Sequence, residues 1–534
     1  MAQNSSGVSE RLPFKTKLAF GVGSGAESIA LFSVGSYAML YYNQVLGLEA
    51  HLAGLAISAS LFLDGISDPL VGSLSDRTKS RWGRRHIYMF FAPIPIVLSL
   101  WAVFNPPDGL GTWALFSWFA VTVVMLRQSM TFYHTPHLAL GSELSRDYTE
   151  RSKVMSYNSF FTWAGAAATT WIALSYFFQA TPEYPRGLLN PEPYGPFSVI
   201  MGGIALALLA ASAWFTRDRI PHLPKPPENL PKYSPFEFFK DIGKAFNNIN
   251  YVWLLVAYFF LSMMIGLRGG LHLYTNTYYW HLGSEQIRFF VIGSFAGYLS
   301  AFLFAAMLHG RFDKKATIIV SAIVYALAPS IPILMGFAGA LTPQTPNLLA
   351  ILIAFSVLSY GAASVLSISI MSALADIADE NELKFGLRQE GVLYSTRALF
   401  AKVDQAIGAA LAGFVLTLIA FPTKAKVGEV PAEVIWNLAL WDGILAGVPG
   451  FIAVFFYARY KITRASYEET KAALAARRAA GLAPQATAVS AAVDVPEPLV
   501  PPTAPRPCRR GAASIRAPGP RWRRRGAPPL AAAR

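Results

Sequence analysis

Apolar residues run along this chain in long blocks, and short polar clusters separate one block from the next. About twelve blocks approach or exceed the roughly 20 residues that a helix needs to cross a hydrocarbon core of ~30 Å at ~1.5 Å per residue. They cover approximately residues 17–45, 52–75, 87–105, 111–142, 154–179, 195–216, 250–280, 286–309, 316–338, 347–376, 391–420 and 437–459. Several are longer than the minimum and carry Gly or Pro, which predicts tilted or kinked spans. The pattern predicts an all-α membrane protein. The polar start "MAQNSSGVSERLPFKTK" leads into a block too long for the apolar core of a signal peptide, so no cleavable leader is expected.

Composition supports the pattern: 54% of the 534 residues are hydrophobic and only 14% charged, with a mean hydropathy of +0.38. The net charge of +14 raises the question of a nucleic-acid partner. Residues 461–534 hold 14 Lys and Arg against 4 Asp and Glu, which leaves a mildly basic body. No nucleic-acid partner is therefore expected. The tail, rich in Pro, Ala and Arg, is expected to be disordered or loosely attached to anionic lipid. Its Cys508 is the only cysteine, so an intrachain disulfide is impossible.

Lys and Arg fall in alternate connections, and the loops after the even-numbered blocks carry most of them: Arg77, Lys79, Arg81, Arg84 and Arg85; Arg146, Arg151 and Lys153; Arg217 to Lys244; Arg311, Lys314 and Lys315. By the positive-inside rule these loops and both termini are expected in the cytoplasm, in a bacterial inner membrane. Six blocks, a long basic connection and six more blocks divide the chain into residues 1–216, a linker 217–249, residues 250–460 and a tail 461–534. The loop "GSLSDRTKSRWGRR" is echoed in position by "GRFDKK" in the second half. Two such halves around a midplane cavity are the layout of a secondary transporter.

Asp64 and Asp68 lie one helical turn apart inside an apolar block. Two carboxylates on one face repel, and each costs ~2.5–3.5 kcal/mol or more at mid-membrane unless neutralised. A monovalent cation or a shared proton between them offsets that cost, with a helix-breaking cap at Asp68–Pro69 as the alternative. Lys402, about eleven residues inside the eleventh block, is a plausible partner for the pair; Asp404 is expected to pair with Arg397. "GVGSGA" reads as close helix packing through Gly21 and Gly25. His134 and His137 in "YHTPH" lack a nearby third zinc ligand in the sequence. Glu143, Arg146 and Arg151 are placed for salt bridges to the basic loop. With no P-loop, nucleophile elbow or HExxH motif, catalysis is not expected.

Gly72, Asp76, Arg77, Gly83, Arg84 and Arg85 resemble the cytoplasmic gate motif of the major facilitator superfamily. With "KLAFGVGSGAES" and "GLRQEGVLYSTRALFAKVDQAIG", the chain is similar over nearly all of residues 14–460 to the glycoside–pentoside–hexuronide:cation symporters. The resemblance implies the major facilitator fold, about 12 transmembrane helices in two six-helix halves, and cation-coupled transport by a chain expected to be a monomer among membrane lipids. It implies no cofactor beyond the transported Na⁺ or H⁺. It implies a cation site at Asp64, Asp68, Ser67 and Thr131, where Ser67 stands in place of the family's Asn, and a coupling role for Lys402. The family's substrate positions hold Ser28, His134, Leu138 and Ser159, which departs from its two acids, tryptophan and arginine. Glu27 can replace the first acid or pair with Arg127 or Arg268, and His134 can carry a proton. A sugar or glycoside is the expected cargo. An amphipathic, lipid-like solute or uncoupled flux is the alternative, and the aromatic stretch "LHLYTNTYYWHL" is a possible lining for either path.

Overall fold

The computed structural model describes residues 11–145, 147–223, 243, 246–385, 387–388, 390–479 and 485–486. Arg146, most of the basic linker and the tail with Cys508 lie outside the described residues. What is described belongs to one compact unit, residues 1–494. The architecture is helical, and a two-residue parallel bridge, Leu387 to Gln485 and Arg388 to Ala486, is the only strand pairing among the described residues.

Each of the twelve apolar blocks forms one helix or a broken helix. In the first half these are α1 Phe14–Leu40, α2 Ala50–Arg77, the broken pair α3 His86–Phe91 and α4 Pro93–Phe104, α5 Thr112–Glu143, α6 Tyr148–Ile172 and α7 Tyr194–Thr216. The second half holds α8 Ile249–Tyr274, α9 Phe290–Arg311, the pair α10 Lys314–Leu327 and α11 Ser330–Phe337, α12 Leu348–Phe385, α13 Glu390–Leu418, and the pair α14 Ala432–Gly443 and α15 Val448–Tyr457. An amphipathic helix, α16, follows at Arg464–Ala479.

Eight helices among the described residues are long and apolar enough to cross a membrane, or nine with the α10–α11 pair, which bends by 40°. Two further blocks do not meet that measure as single helices: Pro93 divides the third into two short helices, and α6 carries the polar run "SKVMSYNSFFT". Side-chain caps start several helices. Asp147 accepts from the Glu150 amide, Asn248 from those of Asn250 and Tyr251, and Asp313 from that of Lys315. Three spans end in a π-helical segment, at Tyr41–Leu46 after α1, Ala173–Phe177 after α6 and Thr275–Tyr279 after α8.

In the first half α1 packs on α6 and α7, and α5 on α2 and α4; in the second, α12 packs on α9 and α10, and α8 on α13 and α15. The halves meet chiefly along α2 and α13. Small residues allow this approach: a Cβ on Gly413 would stand 2.3 Å from the Ala50 carbonyl oxygen, and one on Gly54 2.8 Å from that of Ala409. On its other side α13 touches α8 the same way, through Gly408 and Gly266.

The two ends of the bundle are joined differently. At the end bearing residues 41–49, hydrogen bonds cross between the halves. Tyr274 donates to Asn43 Oδ1 at 3.0 Å, Tyr278 to Gln44 Oε1 at 2.9 Å, and Gln44 Nε2 to the Pro422 carbonyl at 3.0 Å. At the end bearing the basic loops, ion pairs run inside each half. Arg84 and Arg85 reach Glu143 at 2.8 Å, Lys17 reaches Glu150 at 3.0 Å, and Lys314 reaches Asp376 at 2.7 Å.

Candidate functional site

Asp64 and Asp68 share one face of α2, as their four-residue spacing requires, and that face looks at α13 and α5. Lys402 Nζ of α13 donates to Asp64 Oδ2 at 2.9 Å and also to Asp68 Oδ2. From α5, Thr131 donates its hydroxyl to Asp64 Oδ1, and Arg127 Nη1 lies 3.7 Å from Asp64 Oδ2. Two carboxylates thus meet two basic groups, and the cluster is balanced in charge. Removing either base would leave a buried acid uncompensated. Lys402 also joins α13 of one half to α2 of the other at mid-depth, close to where Gly65 lets the backbones approach.

Ser67 does not join the carboxylates. Its hydroxyl donates 3.2 Å back to the Asp64 carbonyl on its own helix, one turn away, so its oxygen is spent on the backbone. Asp404 does not pair with Arg397. Seven residues are two turns, about 10 Å of rise, and exceed the reach of a salt bridge. Arg397 instead lies over the Tyr258 ring at 4.4 Å, and both carboxylate oxygens of buried Asp404 are without a hydrogen-bond partner among the described residues.

Glu27 pairs with neither Arg127 nor Arg268. Arg127 sits two turns beyond His134 on α5 and reaches Asp64, while Arg268 donates to the Ala326 carbonyl at 2.8 Å and the Tyr325 carbonyl at 3.3 Å, just before the α10–α11 bend. Glu27 lies between two histidines of α5. Its Oε2 is 2.6 Å from His134 Nδ1 and its Oε1 is 2.9 Å from His137 Nδ1. The helical spacing of His134 and His137 places both rings on the face against α1, and α1 supplies the third member that the sequence did not reveal. His134 Nδ1 is hydrogen-bonded to Glu27 Oε2, whereas Oε1, beside His137, has no hydrogen-bond partner among the described residues, and no group of three or more such side chains there is arranged to hold a metal ion.

A cavity of about 230 Å³ lies between the halves, walled by Ser36 of α1, Arg127 of α5, Gly269 and Tyr274 of α8 and Gln405 of α13, among others. None of Glu27, Ser28, His134, Leu138 and Ser159 lines it. Positions 28 and 134 fall two turns, about 10 Å, from the cavity's Gly35 and Arg127 towards the basic-loop end. Ser28 is half-buried, Leu138 is 43% exposed and Ser159 is exposed beside Asn158, which accepts from Ser24. Of the aromatic stretch of the seventh span, Leu273 and Tyr274 line the cavity; Tyr278 is buried in the bond to Gln44, and Tyr279 packs edge-on against buried Trp280. Arg127 and Gln405 were missed as cavity groups because α-helical periodicity locates a face but not the neighbour it meets.

The loop Gly72–Arg85 folds back on α5. Arg85 is buried and donates to Ser75 Oγ at 2.6 Å, to Asp76 and to Glu143 at 2.8 Å. Gly83 has φ +81°, a conformation that favours glycine, and a Cβ there would stand 3.1 Å from Ile220. A Cβ on Gly72 would meet Thr135 at 3.4 Å, so α2 and α5 lie close at that level. Arg77 donates to Ser73 at 3.3 Å on its own helix.

A family model described as MFS/sugar transport protein matches residues 19–464. A putative glycoside/cation symporter of Escherichia coli is 25% identical, over 88% of this chain and 96% of that protein. An isoprimeverose transporter of Lactiplantibacillus pentosus is 22% identical, over 84% and 90%. Among solved structures, a bacterial homologue of the human lysosomal transporter Spinster, in an inward-facing and unoccupied conformation, superposes with a TM-score of 0.57 at 15% identity, covering 83% of this chain and 96% of that one. That likeness concerns the fold.

Proposed function

We propose a coupling scheme for this chain, which belongs to the MFS/sugar transport protein family and is therefore a membrane transporter and not an enzyme. The reading is symport of a sugar, glycoside or related small solute with H⁺ or Na⁺, by alternating access of the two halves. The relatives named as glycoside/cation symporter and isoprimeverose transporter support that class of cargo.

The observation that carries the reading is Lys402 donating to both Asp64 and Asp68 across the junction of the halves. A cation that neutralises either carboxylate weakens the hold on Lys402 and thereby loosens α13 from α2. Because the four charges already balance, a cation that enters must displace a base or be a proton. Arg127 belongs both to the cluster and to the cavity wall. A solute held by Arg127 and Gln405 therefore bears on the same ion balance, which is the linkage that coupling requires. Arg127, Gln405 and Tyr274 offer polar groups to a small hydroxylated solute, set among apolar residues such as Leu40, Ile57, Leu61 and Leu273. The basic loops and both termini are assigned to the cytoplasm by charge, the site to a single chain, and the ion to cargo.

The test is uptake of labelled pentoses, glycosides and uronides into proteoliposomes under imposed Na⁺ or H⁺ gradients. Gradient-driven accumulation is expected in the wild type and should be lost in Asp64→Asn and in Lys402→Ala. Equal accumulation in Asp64→Asn would refute the cluster as the coupling element, and flux indifferent to both gradients would make the protein a facilitator.

A further inference from the structure

Arg127 is the one charged residue among those described as walling the cavity between the halves. Its side chain is only 14% exposed, yet its hydrogen-bond donors are idle. Nε has no partner, and Nη1 stands 3.7 Å from Asp64 Oδ2, beyond hydrogen-bond reach. Asp64 is satisfied without it, because Thr131 donates to Oδ1 and Lys402 to Oδ2. Among the described residues, none accepts a hydrogen bond from the Arg127 guanidinium. A guanidinium held by charge alone is an unfinished site, for its planar fork matches a carboxylate through two parallel hydrogen bonds. The cavity has room for the rest of such a molecule. A Cβ added at Gly35 of α1 or at Gly269 of α8 would meet nothing within 4 Å, so these two wall positions, one from each half, face open space. Beside them Gln405 and Ser36 bring an amide and a hydroxyl that no described residue engages, suited to the hydroxyls of a solute.

We propose that Arg127 determines specificity and that the cargo is a small hydroxylated monocarboxylate, a sugar acid, whose carboxylate takes the Arg127 fork while its body fills the space before Gly35 and Gly269. The proposal rests on the symport reading above and names its substrate class. Charge decides among the anions that an arginine can hold. A monocarboxylate matches one fixed cation, whereas a phosphate monoester carries about −1.5 to −2 at neutral pH and would leave part of that charge buried without a partner. The same balance ties the solute to the ion. In the empty carrier the acids Asp64 and Asp68 are offset by Lys402 and Arg127. A carboxylate that draws Arg127 to itself leaves the two acids with Lys402 alone, one negative charge in excess. A monovalent cation at the acid pair restores neutrality, so each ligand removes the cost of the other. The empty and the doubly loaded carriers are balanced, and either ligand alone leaves a buried charge. Transport of the acid with one cation therefore moves no net charge across the membrane.

The experiment is equilibrium binding to the full-length protein in detergent at neutral pH, by calorimetry, with and without Na⁺. The probes are glucuronate, galacturonate and gluconate, each against its uncharged amide, and glucose 6-phosphate. At least one acid is expected to bind the wild type about 10–100-fold more tightly than its amide. Arg127→Lys keeps the charge beside Asp64 and loses the fork, so that preference should fall by about tenfold. Gly269→Leu fills the open space and should abolish binding while the unfolding temperature stays at the wild-type value. An amide that binds as well as its acid, a phosphate that binds more tightly than every acid, undiminished binding in Gly269→Leu, or no binding of any acid would each overturn the proposal, and all but the third are read from wild type alone. The charge balance is read in proteoliposomes: accumulation of the acid indifferent to a potential imposed with K⁺ and valinomycin supports it, and accumulation driven by that potential overturns it. Binding needs no gradient, so an acid that binds but accumulates under neither a Na⁺ nor a H⁺ gradient would defeat the symport reading and leave the role of Arg127 standing.

Discussion

The two ends of this bundle are built from different chemistry. Where residues 41–49 meet 274–278 and 422–425, the halves are joined by neutral phenol, amide and carbonyl groups. Where the basic loops lie, charged pairs hold each half to itself, and the second half repeats the first: Arg84 and Arg85 at the start of the third span meet Glu143 at the end of the fourth, and Lys314 at the start of the ninth meets Asp376 in the tenth. Neutral hydrogen bonds are each worth a net ~0.5–1.5 kcal/mol and are readily replaced by water, whereas removing one partner of a buried ion pair costs ~3–5 kcal/mol. The division suits a machine in which the seam must part and each half must stay rigid.

The largest effect should come from Arg85→Met. The guanidinium is buried against Asp76, Ser75 and Glu143, so its loss should destabilise the first half by ~3–5 kcal/mol, measured as a lower unfolding temperature in detergent. A variant as stable as wild type would break the comparison. Tyr278→Phe removes one bond across the neutral seam, to Gln44 Oε1, and one within the second half, to the Ala425 carbonyl; the loss of the first, ~0.5–1.5 kcal/mol, falls on the closed seam and not on the folding of either half. It should leave thermal stability nearly unchanged and shift spin-label distances across that end towards an open population. Lys314→Met should cost less than Arg85→Met, ~1 kcal/mol, because the lysine is 30% exposed and single. The smallest effect is a pH dependence at Glu150. Hydrogen bonds from Lys153 and Lys17 hold its carboxyl well below the usual range, at about 2. A depressed carboxyl contributes stability above its unfolded value, and that contribution is lost as pH falls towards 2. Glu150→Gln should lower stability slightly at neutral pH, where the two lysine contacts contribute, and flatten the acid limb, so that variant and wild type converge as pH falls towards 2.

The helical blocks were legible because a membrane span is a length and composition problem, and each of the twelve stretches is indeed helical. The breaks within them were legible in part. Prolines mark two, Pro93 in the third block and Pro329 between Leu327 and Ser330, where the missing N–H frees the Tyr325 carbonyl; that Arg268 of another helix takes up the Tyr325 and Ala326 carbonyls is the part the sequence does not show. Within the site, the i, i+4 spacing located Asp64 and Asp68 on one face and the depth of Lys402 pointed to them. Thr131 entered by resemblance, and the structure brings it to Asp64. The partners of Glu27 were not legible, because which helix α1 faces at that level is a tertiary fact. Asp404 shows the converse: two residues from Lys402, it points away from α2 by the 100° step of the helix, and nothing in the sequence said that no cation would be there to meet it.

The π-helical segments after α1 and α8 occupy equivalent places, at the ends of the first and seventh spans. A π-turn holds one residue more than an α-turn, so each segment is a one-residue surplus that the surrounding helix absorbs without losing its axis. Deleting a single residue from Thr275–Tyr279 would restore the ordinary turn and swing everything beyond it by about 100°, turning Tyr278 away from Gln44. Chain length at these two points is therefore as much a determinant of whether this end can seal as the identity of any side chain.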